Sequence, residues 1–240
     1  MIFKLLLILV AILKIRLAAA QCTFENCICS QNADNSQSIY CSGSQTATSF
    51  PKRTNIGDSI PIKLLTFELF NVARLTNLFS NLNIDTLQLK QNNLQSIASD
   101  AFSGIKNLRQ LTIQDFNLKS NSFEPKSLEP IAGTLTGLEL SSSGLIDAEI
   151  NGMYSEISKL TKLTDMNFKS NDLSQFDPKW APVTLKTLNL DTNNLNEIPV
   201  GLFQKLTQLA VLDISSNHFS DMTGLVNNIK ASLTSQVWII

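Results

Sequence analysis

The 240-residue chain has one histidine, two tryptophans, two tyrosines and no cysteine after Cys41. It also lacks a glycine-rich phosphate loop and any Asn-x-Ser/Thr sequon. The lone His218 lies far from the cysteines, and paired C-x-x-C spacing is absent, so the zinc pattern is unfilled. A Ser-His-Asp triad would have to combine His218 with Asp213 and Ser215 or Ser216, which fall at ordinary strand and turn positions. Carboxylate pairs such as Asp165 with Asp191 share no recognisable pocket. With 19 basic and 20 acidic residues the formal net charge is −1, and the basic residues are scattered, unlike a nucleic-acid footprint. Past the N-terminus no apolar run is long enough to span a membrane, and no tail suits a lipid anchor. Catalysis, cofactors, metals and nucleic acid are therefore not expected.

The N-terminus does carry a signal. Residues 1–20 read as a secretory leader: Lys4 opens it, Leu5–Leu13 form the apolar run, and Ala18, Ala19 and Ala20 make a small-residue cleavage site before Gln21. The four cysteines, Cys22, Cys27, Cys29 and Cys41, follow at once. An even number clustered behind a leader reads as two disulfides in an oxidising compartment; spacing alone leaves three pairings open.

The rest of the chain is organised around Leu185–Leu195, L-K-T-L-N-L-D-T-N-N-L. In an extended segment Leu188 and Leu190 point one way and Asn189 the other. Asn193 stands where the chain leaves the strand, and its amide can both donate to and accept from unpaired turn groups. The form is L-x-x-L-x-L-x-x-N-x-L, a leucine-rich repeat, which buries its apolar face only by stacking on copies of itself. Copies start at Ile62, Ile84, Leu108, Leu135, Leu163, Leu185 and Leu209, at successive spacings of 22, 24, 27, 28, 22 and 24. The fourth position reads Leu65, Leu87, Leu111, Leu138, Met166, Leu188, Leu212, and the sixth Phe67, Leu89, Ile113, Leu140, Phe168, Leu190, Ile214. The asparagine column is kept at Asn92, Asn171, Asn193 and Asn217 but is broken by Phe70, Phe116 and Ser143.

Between the strands, Phe102 and Phe203 occupy equivalent places and are expected to stack in an aromatic column behind the sheet. Asp147–Leu160 has helical spacing, with Ile150, Met153, Ile157 and Leu160 on one face. Lys119–Pro130, with two prolines, reads as irregular. Residues 43–60 lack periodicity and read as a linker, and Val237–Ile240 resembles the start of a further strand.

The C-x4-C-x-C-x11-C segment ending at Cys41, followed by repeats, resembles the N-terminal cysteine-rich cap of extracellular leucine-rich-repeat proteins. The resemblance runs from Cys22 to Phe219. It implies the pairings Cys22–Cys29 and Cys27–Cys41, with a short hairpin covering the open end of the repeat core. The fold class expected is an α/β solenoid: a leucine-rich-repeat horseshoe with a parallel concave sheet, an irregular or short-helical convex side and a disulfide-bonded cap. Its divisions are 1–20 leader, 21–61 cap and linker, 62–232 seven repeats, and 233–240 a partial eighth repeat or truncated end. The C-terminal cysteine-rich cap common in the family is missing. The open end is therefore expected to be covered in another way, to mediate self-association, or to mark a fragment.

The fifth and seventh repeat positions line the concave face. Gln88, Lys90, Thr112, Gln114, Glu139, Asn167, Lys169, Asn189 and Asp191 are the candidate contacts for an extracellular protein ligand. That face reads as polar, mixed in charge and free of aromatic anchors. The function expected is a secreted recognition or adhesion module. The alternatives are a non-catalytic subunit of a secreted enzyme complex and a structural protein of the extracellular matrix.

Overall fold

The computed structural model describes residues 22–54, 60–199, 202–221, 223–224, 226–227 and 238–239. The expected leader and the side chain of Phe203 lie outside them. The strands are β1 (Ile28–Gln31), β2 (Gln37–Ser42), β3 (Ile62–Glu68), β4 (Arg74–Leu75), β5 (Ile84–Lys90), β6 (Ser96–Ile97), β7 (Gln110–Gln114), β8 (Gly137–Glu139), β9 (Asp165–Asn167), β10 (Thr187–Asn189), β11 (Val211–Asp213) and β12 (Trp238–Ile239). Ten of them form one sheet in the order β1-β2-β3-β5-β7-β8-β9-β10-β11-β12, and β4 pairs with β6 apart from it. Only β1 and β2 run antiparallel; each later junction of the large sheet is parallel.

The register is set by the leucines. Leu65 faces Leu87, which faces Leu111, and the row continues through Leu138, Met166, Leu188 and Leu212. All seven side chains are buried, as are Phe67, Leu89, Ile113, Leu140, Phe168, Leu190 and Ile214 of the sixth position. A one-residue slip would turn both rows to water, and each side chain gains about 1.5–3 kcal/mol from burial, so the register is strongly fixed.

The asparagines hold the turns, and each one works on the preceding repeat. Asn171 accepts from Ser143 N (3.0 Å) and Leu145 N (3.1 Å) and donates to Leu140 O and Phe168 O, both at 2.8 Å. Asn193 accepts from Leu173 N (3.1 Å), and Asn217 from Leu195 N (3.0 Å). Asn92 accepts from Phe70 N and donates to Phe67 O. At Ser143 the hydroxyl substitutes in part, donating to Ser141 O at 2.9 Å. Just before this column the backbone is left-handed in all seven repeats, at Leu69, Gln91, Asp115, Ser142, Ser170, Thr192 and Ser216 (φ from 48° to 64°), and none of these residues is glycine.

The cap is a hairpin that continues the sheet. Its disulfides are Cys22–Cys29 and Cys27–Cys41, the pairing the resemblance implies. Residues 43–54 of the expected linker are more ordered than their lack of period suggests. Arg53 bridges to Phe24, and Phe50 packs on Phe67 and Phe70. Of the expected aromatic column, only the Phe102 side chain falls among the described residues. Phe102 is buried, and among the described residues a ring cluster forms at the cap end, where Phe67 touches Phe24, Phe50, Phe70 and Phe79. The cause is local: Phe70 takes the asparagine place of the first repeat and fills the turn with a ring.

Helix α1 (Asp147–Ile157) sits in the longest repeat, with Ile150, Met153 and Ile157 buried and Asp147 and Glu149 in its first turn, where the helix dipole favours acids. It ends three residues before Leu160, which is buried in the following turn. The irregular loop before it contains a short 3-10 turn, Glu129–Ile131. The loop is held by Glu156, 3% exposed, which accepts from Lys126 N (2.9 Å) and pairs with Lys159 (2.7 Å). Burial pushes the Glu156 carboxyl up, but Lys159 and the backbone N–H groups of Lys126 and Leu128 outweigh it and hold the group below its usual value.

Candidate recognition surface

Period-two alternation aims the fifth and seventh positions away from the leucine rows, and the parallel register lines them up. Thr66, Gln88, Thr112, Glu139, Asn167, Asn189 and Asp213 form one column; Glu68, Lys90 and Gln114 continue the second beside it. A shallow cleft of about 220 Å³ lies over Gln110, Thr112, Gly137, Glu139, Asn167 and Asn189 on this face. Gly137 leaves room for the Gln110 side chain, whose Oε1 would lie 1.8 Å from a Cβ there and would have to swing aside.

The C-terminal part of the face is committed to itself. Lys169 Nζ lies 2.6 Å from Asp191 Oδ2, and Asp191 Oδ1 accepts from Ser215 Oγ (2.9 Å) and Thr192 Oγ1 (3.0 Å). The Lys169 ammonium, helped by these hydroxyls, holds the buried Asp191 carboxyl far below the usual range, and Asp191 in turn raises Lys169. Asp165 is not part of this network and accepts from Thr164 Oγ1 instead. Ser215 Oγ also lies 2.6 Å from Asp213 Oδ1, so its one proton is shared between the two carboxylates, while His218 is exposed. Thr112 donates to Glu139 Oε2 at 3.3 Å, and Glu139 Oε1 accepts from Ser141 Oγ at 2.7 Å.

The N-terminal part differs. Lys90 and Gln114 make no side-chain bond with the described residues. The face is also larger than the repeats alone suggest, because β2 pairs with β3 so that Tyr40 falls opposite Thr66. Ile28 of β1 falls opposite Tyr40. The concave columns therefore begin on the cap with two exposed side chains, Ile28 at 72% and Tyr40 at 40%. Tyr40 donates to Glu68 Oε2 at 2.8 Å, which fixes the ring and raises the phenol's pKa. The expectation of a face free of aromatics is corrected here: the columns start before Ile62. The signal was present in Gln37–Ser42, where buried Ile39 and Cys41 alternate with exposed Tyr40 and Ser42.

A curved parallel sheet with asparagine-bonded turns, opened by a disulfide-closed hairpin, defines an extracellular leucine-rich-repeat protein. Residues 183–226 match the family described as leucine rich repeat. Osteomodulin of Rattus norvegicus is 33% identical over 164 residues, which is 58% of this chain and 38% of osteomodulin. Lumican of Oryctolagus cuniculus is 30% identical over 148 residues, covering 55% of this chain and 74% of the lumican sequence. The crystal structure of human trophoblast glycoprotein (Wnt-activated inhibitory factor 1) superposes with a TM-score of 0.67 over 91% of this chain and 79% of that one; at 18% identity this likeness concerns the fold. The chain belongs to the leucine-rich-repeat family, and it is a secreted, extracellular protein. It spans 38% of the length of rat osteomodulin. Among the described residues no helix is long and apolar enough to cross a membrane.

Proposed function

We propose that this chain is a recognition module that takes an extracellular protein ligand on its concave face, chiefly over the cap and the first three strands of the solenoid. The observation that carries the reading is the run of exposed Ile28 and Tyr40 into the column of Thr66 and Gln88. Tyrosine is a common interface anchor, and here its ring is already fixed by Glu68, so little ordering entropy is left to lose on binding. Lys90 and Gln114 beside it offer unengaged polar groups, and Gln88 and Thr112 complete the contact surface. Glu139, Asn167, Lys169, Asn189 and Asp191 form its polar continuation, where paired charges exclude wrong partners more than they add affinity. Residues 21–61 act in this reading as cap and 62–232 as the repeats. No chemical step is assigned to the chain.

Three baits carrying the chain from Gln21 test the proposal in extracellular fluid of the source organism. They are the unaltered chain, Tyr40→Arg with Lys90→Glu, and Asn167→Arg with Asn189→Arg. A partner held by the first and third and lost by the second supports it. A partner lost only by the third moves the site to the C-terminal strands, and equal capture by all three rejects the concave face.

A further inference from the structure

A cleft is formed on the rim of the solenoid. It measures about 530 Å³ and is lined by Gln45, Leu69, Phe70, Asn71, Gln91, Asn92, Asn93 and Asp115. It lies over the turns that follow β3, β5 and β7, where the chain leaves the sheet. That volume is within the usual range for small-molecule sites.

The polar groups around it are mostly unspent. Gln45, Gln91 and Asp115 are exposed and make no side-chain hydrogen bond within the described residues. Asn93 Nδ2 donates to Asn71 Oδ1 at 2.8 Å, which fixes both amides and leaves Asn93 Oδ1 and Asn71 Nδ2 free. Only Asn92 is committed, to Phe70 N and Phe67 O. The groups are also held in fixed directions. Leu69, Gln91 and Asp115 are the left-handed residues of their turns, and their N–H groups donate to Lys90 O, Gln114 O and Ser141 O of the next repeat.

We infer that this rim cleft is a binding site for a neutral saccharide. Each amide presents a donor beside an acceptor, which matches a pair of vicinal hydroxyls, and the Asp115 carboxylate accepts two further O–H groups. No cation lines the cleft, so a sulfated or carboxylated sugar would meet Asp115 without a counter-charge. Leu69 supplies an apolar patch for a ring face. Three turns at the strand spacing of about 4.8 Å give a length of roughly 10 Å, room for about two sugar rings. An extended peptide would need side-chain pockets for specificity, and the cleft has no deep apolar one. The inference is independent of the ligand proposed for the concave face.

The test is titration of the full chain, followed by side-chain amide NMR signals, with lactose, N,N′-diacetylchitobiose and mannobiose in turn. A saturable shift of the Gln45, Asn71, Gln91 and Asn93 amides by one of these is expected. Gln91→Gly and Gln45→Ala should each weaken it by about tenfold. Gln91→Gly removes the amide while relaxing a left-handed backbone, so weakened binding cannot be put down to misfolding. Tyr40→Arg should leave the affinity unchanged. No saturable shift with any of the three sugars overturns the inference. So does a shift that both variants leave intact, or one produced only by a sulfated chondroitin disaccharide or by end-blocked tetraglycine.

Discussion

The two ends of the sheet use the same leucine rows and differ in everything that faces outward. Strands β3 and β5 have seven residues each and β7 has five, whereas β9, β10 and β11 have three. Strand β8, with Glu139 at the fifth repeat position, is also three residues long, but in β9, β10 and β11 the difference sits at that position. In these three strands it is Asn167, Asn189 and Asp213, whose Oδ1 atoms accept from Lys169 N (3.0 Å), Asp191 N (2.9 Å) and Ser215 N (3.1 Å). A short polar side chain thereby takes up the backbone N–H two residues on and ends the strand. In the long strands the position is Thr66, Gln88 and Thr112, and the two threonines donate across to the next repeat: Thr66 to Gln88 at 3.3 Å and Thr112 to Glu139 at 3.3 Å. One end is a regular ladder with aromatics behind it and free polar groups in front. The other is a set of short strands tied by amides and an ion-pair network.

This contrast predicts where each end breaks. Phe67→Ala should be the most costly substitution, about 4 kcal/mol by urea denaturation, because four rings lose their common neighbour and the cavity sits between cap and solenoid. A loss below about 2 kcal/mol would mean that the cap end collapses around the gap. Asn171→Ala comes next, at about 3 kcal/mol, since it strips partners from two buried N–H and two C=O groups. Asn92→Ala removes fewer bonds, and the ring-filled turn at Phe70 should hold it to about half that cost. Equal costs at the two positions would erase the distinction between the ends.

Much of this was legible in the sequence, for reasons that differ from element to element. Seven strands follow from Leu65, Leu87, Leu111, Leu138, Met166, Leu188 and Leu212, because burial leaves the period no freedom. Helix α1 follows from Ile150, Met153 and Ile157 in the same way. Strand length was not legible, since it turns on whether a polar side chain bonds backward to its own strand or sideways to the next repeat. Asn189 and Thr112 look alike in a hydropathy pattern. Buried Glu156 was missed because a carboxylate on a helix reads as solvated until the loop it caps is in place. Tyr40 was missed as a surface anchor because the cap joins the sheet only through pairing, and a repeat count that starts at Ile62 cannot include it.

The ion pair at the C-terminal end sharpens the comparison through pH. Lys169 bonding lowers the Asp191 pKa, so this group's stabilisation is complete above the usual carboxylate range, about pH 4, and is lost as pH falls through the lower folded value. The raised Lys169 contributes below about pH 10.4 and loses its contribution as pH rises through the folded value. Lys169→Met should therefore move the acid limb of the stability curve to higher pH and flatten its alkaline limb. Lys90→Met, whose ammonium has no partner among the described residues, should leave both limbs in place. Matching shifts in the two variants would show that the C-terminal network has no special hold on Asp191.

The smallest expected effect concerns a feature that, like the leucine rows, the two ends share. All seven turns place a non-glycine residue in the left-handed region, and Thr192 (φ 56°) is the least suited, because branching at Cβ crowds that backbone. Glycine there relieves about 1–2 kcal/mol of local strain. It also costs about 0.5–1 kcal/mol of extra unfolded-state entropy. The Thr192 hydroxyl bond to Asp191 is lost as well. Thr192→Gly should thus come out near neutral, whereas Leu69→Gly (φ 64°), with no hydroxyl to lose, should gain up to about 1 kcal/mol. Each left-handed N–H from Leu69 to Thr192 donates to the next repeat, so the conformation belongs to the stacking itself. A loss of more than about 1 kcal/mol in Leu69→Gly would show instead that the side chain over the rim is needed for packing there.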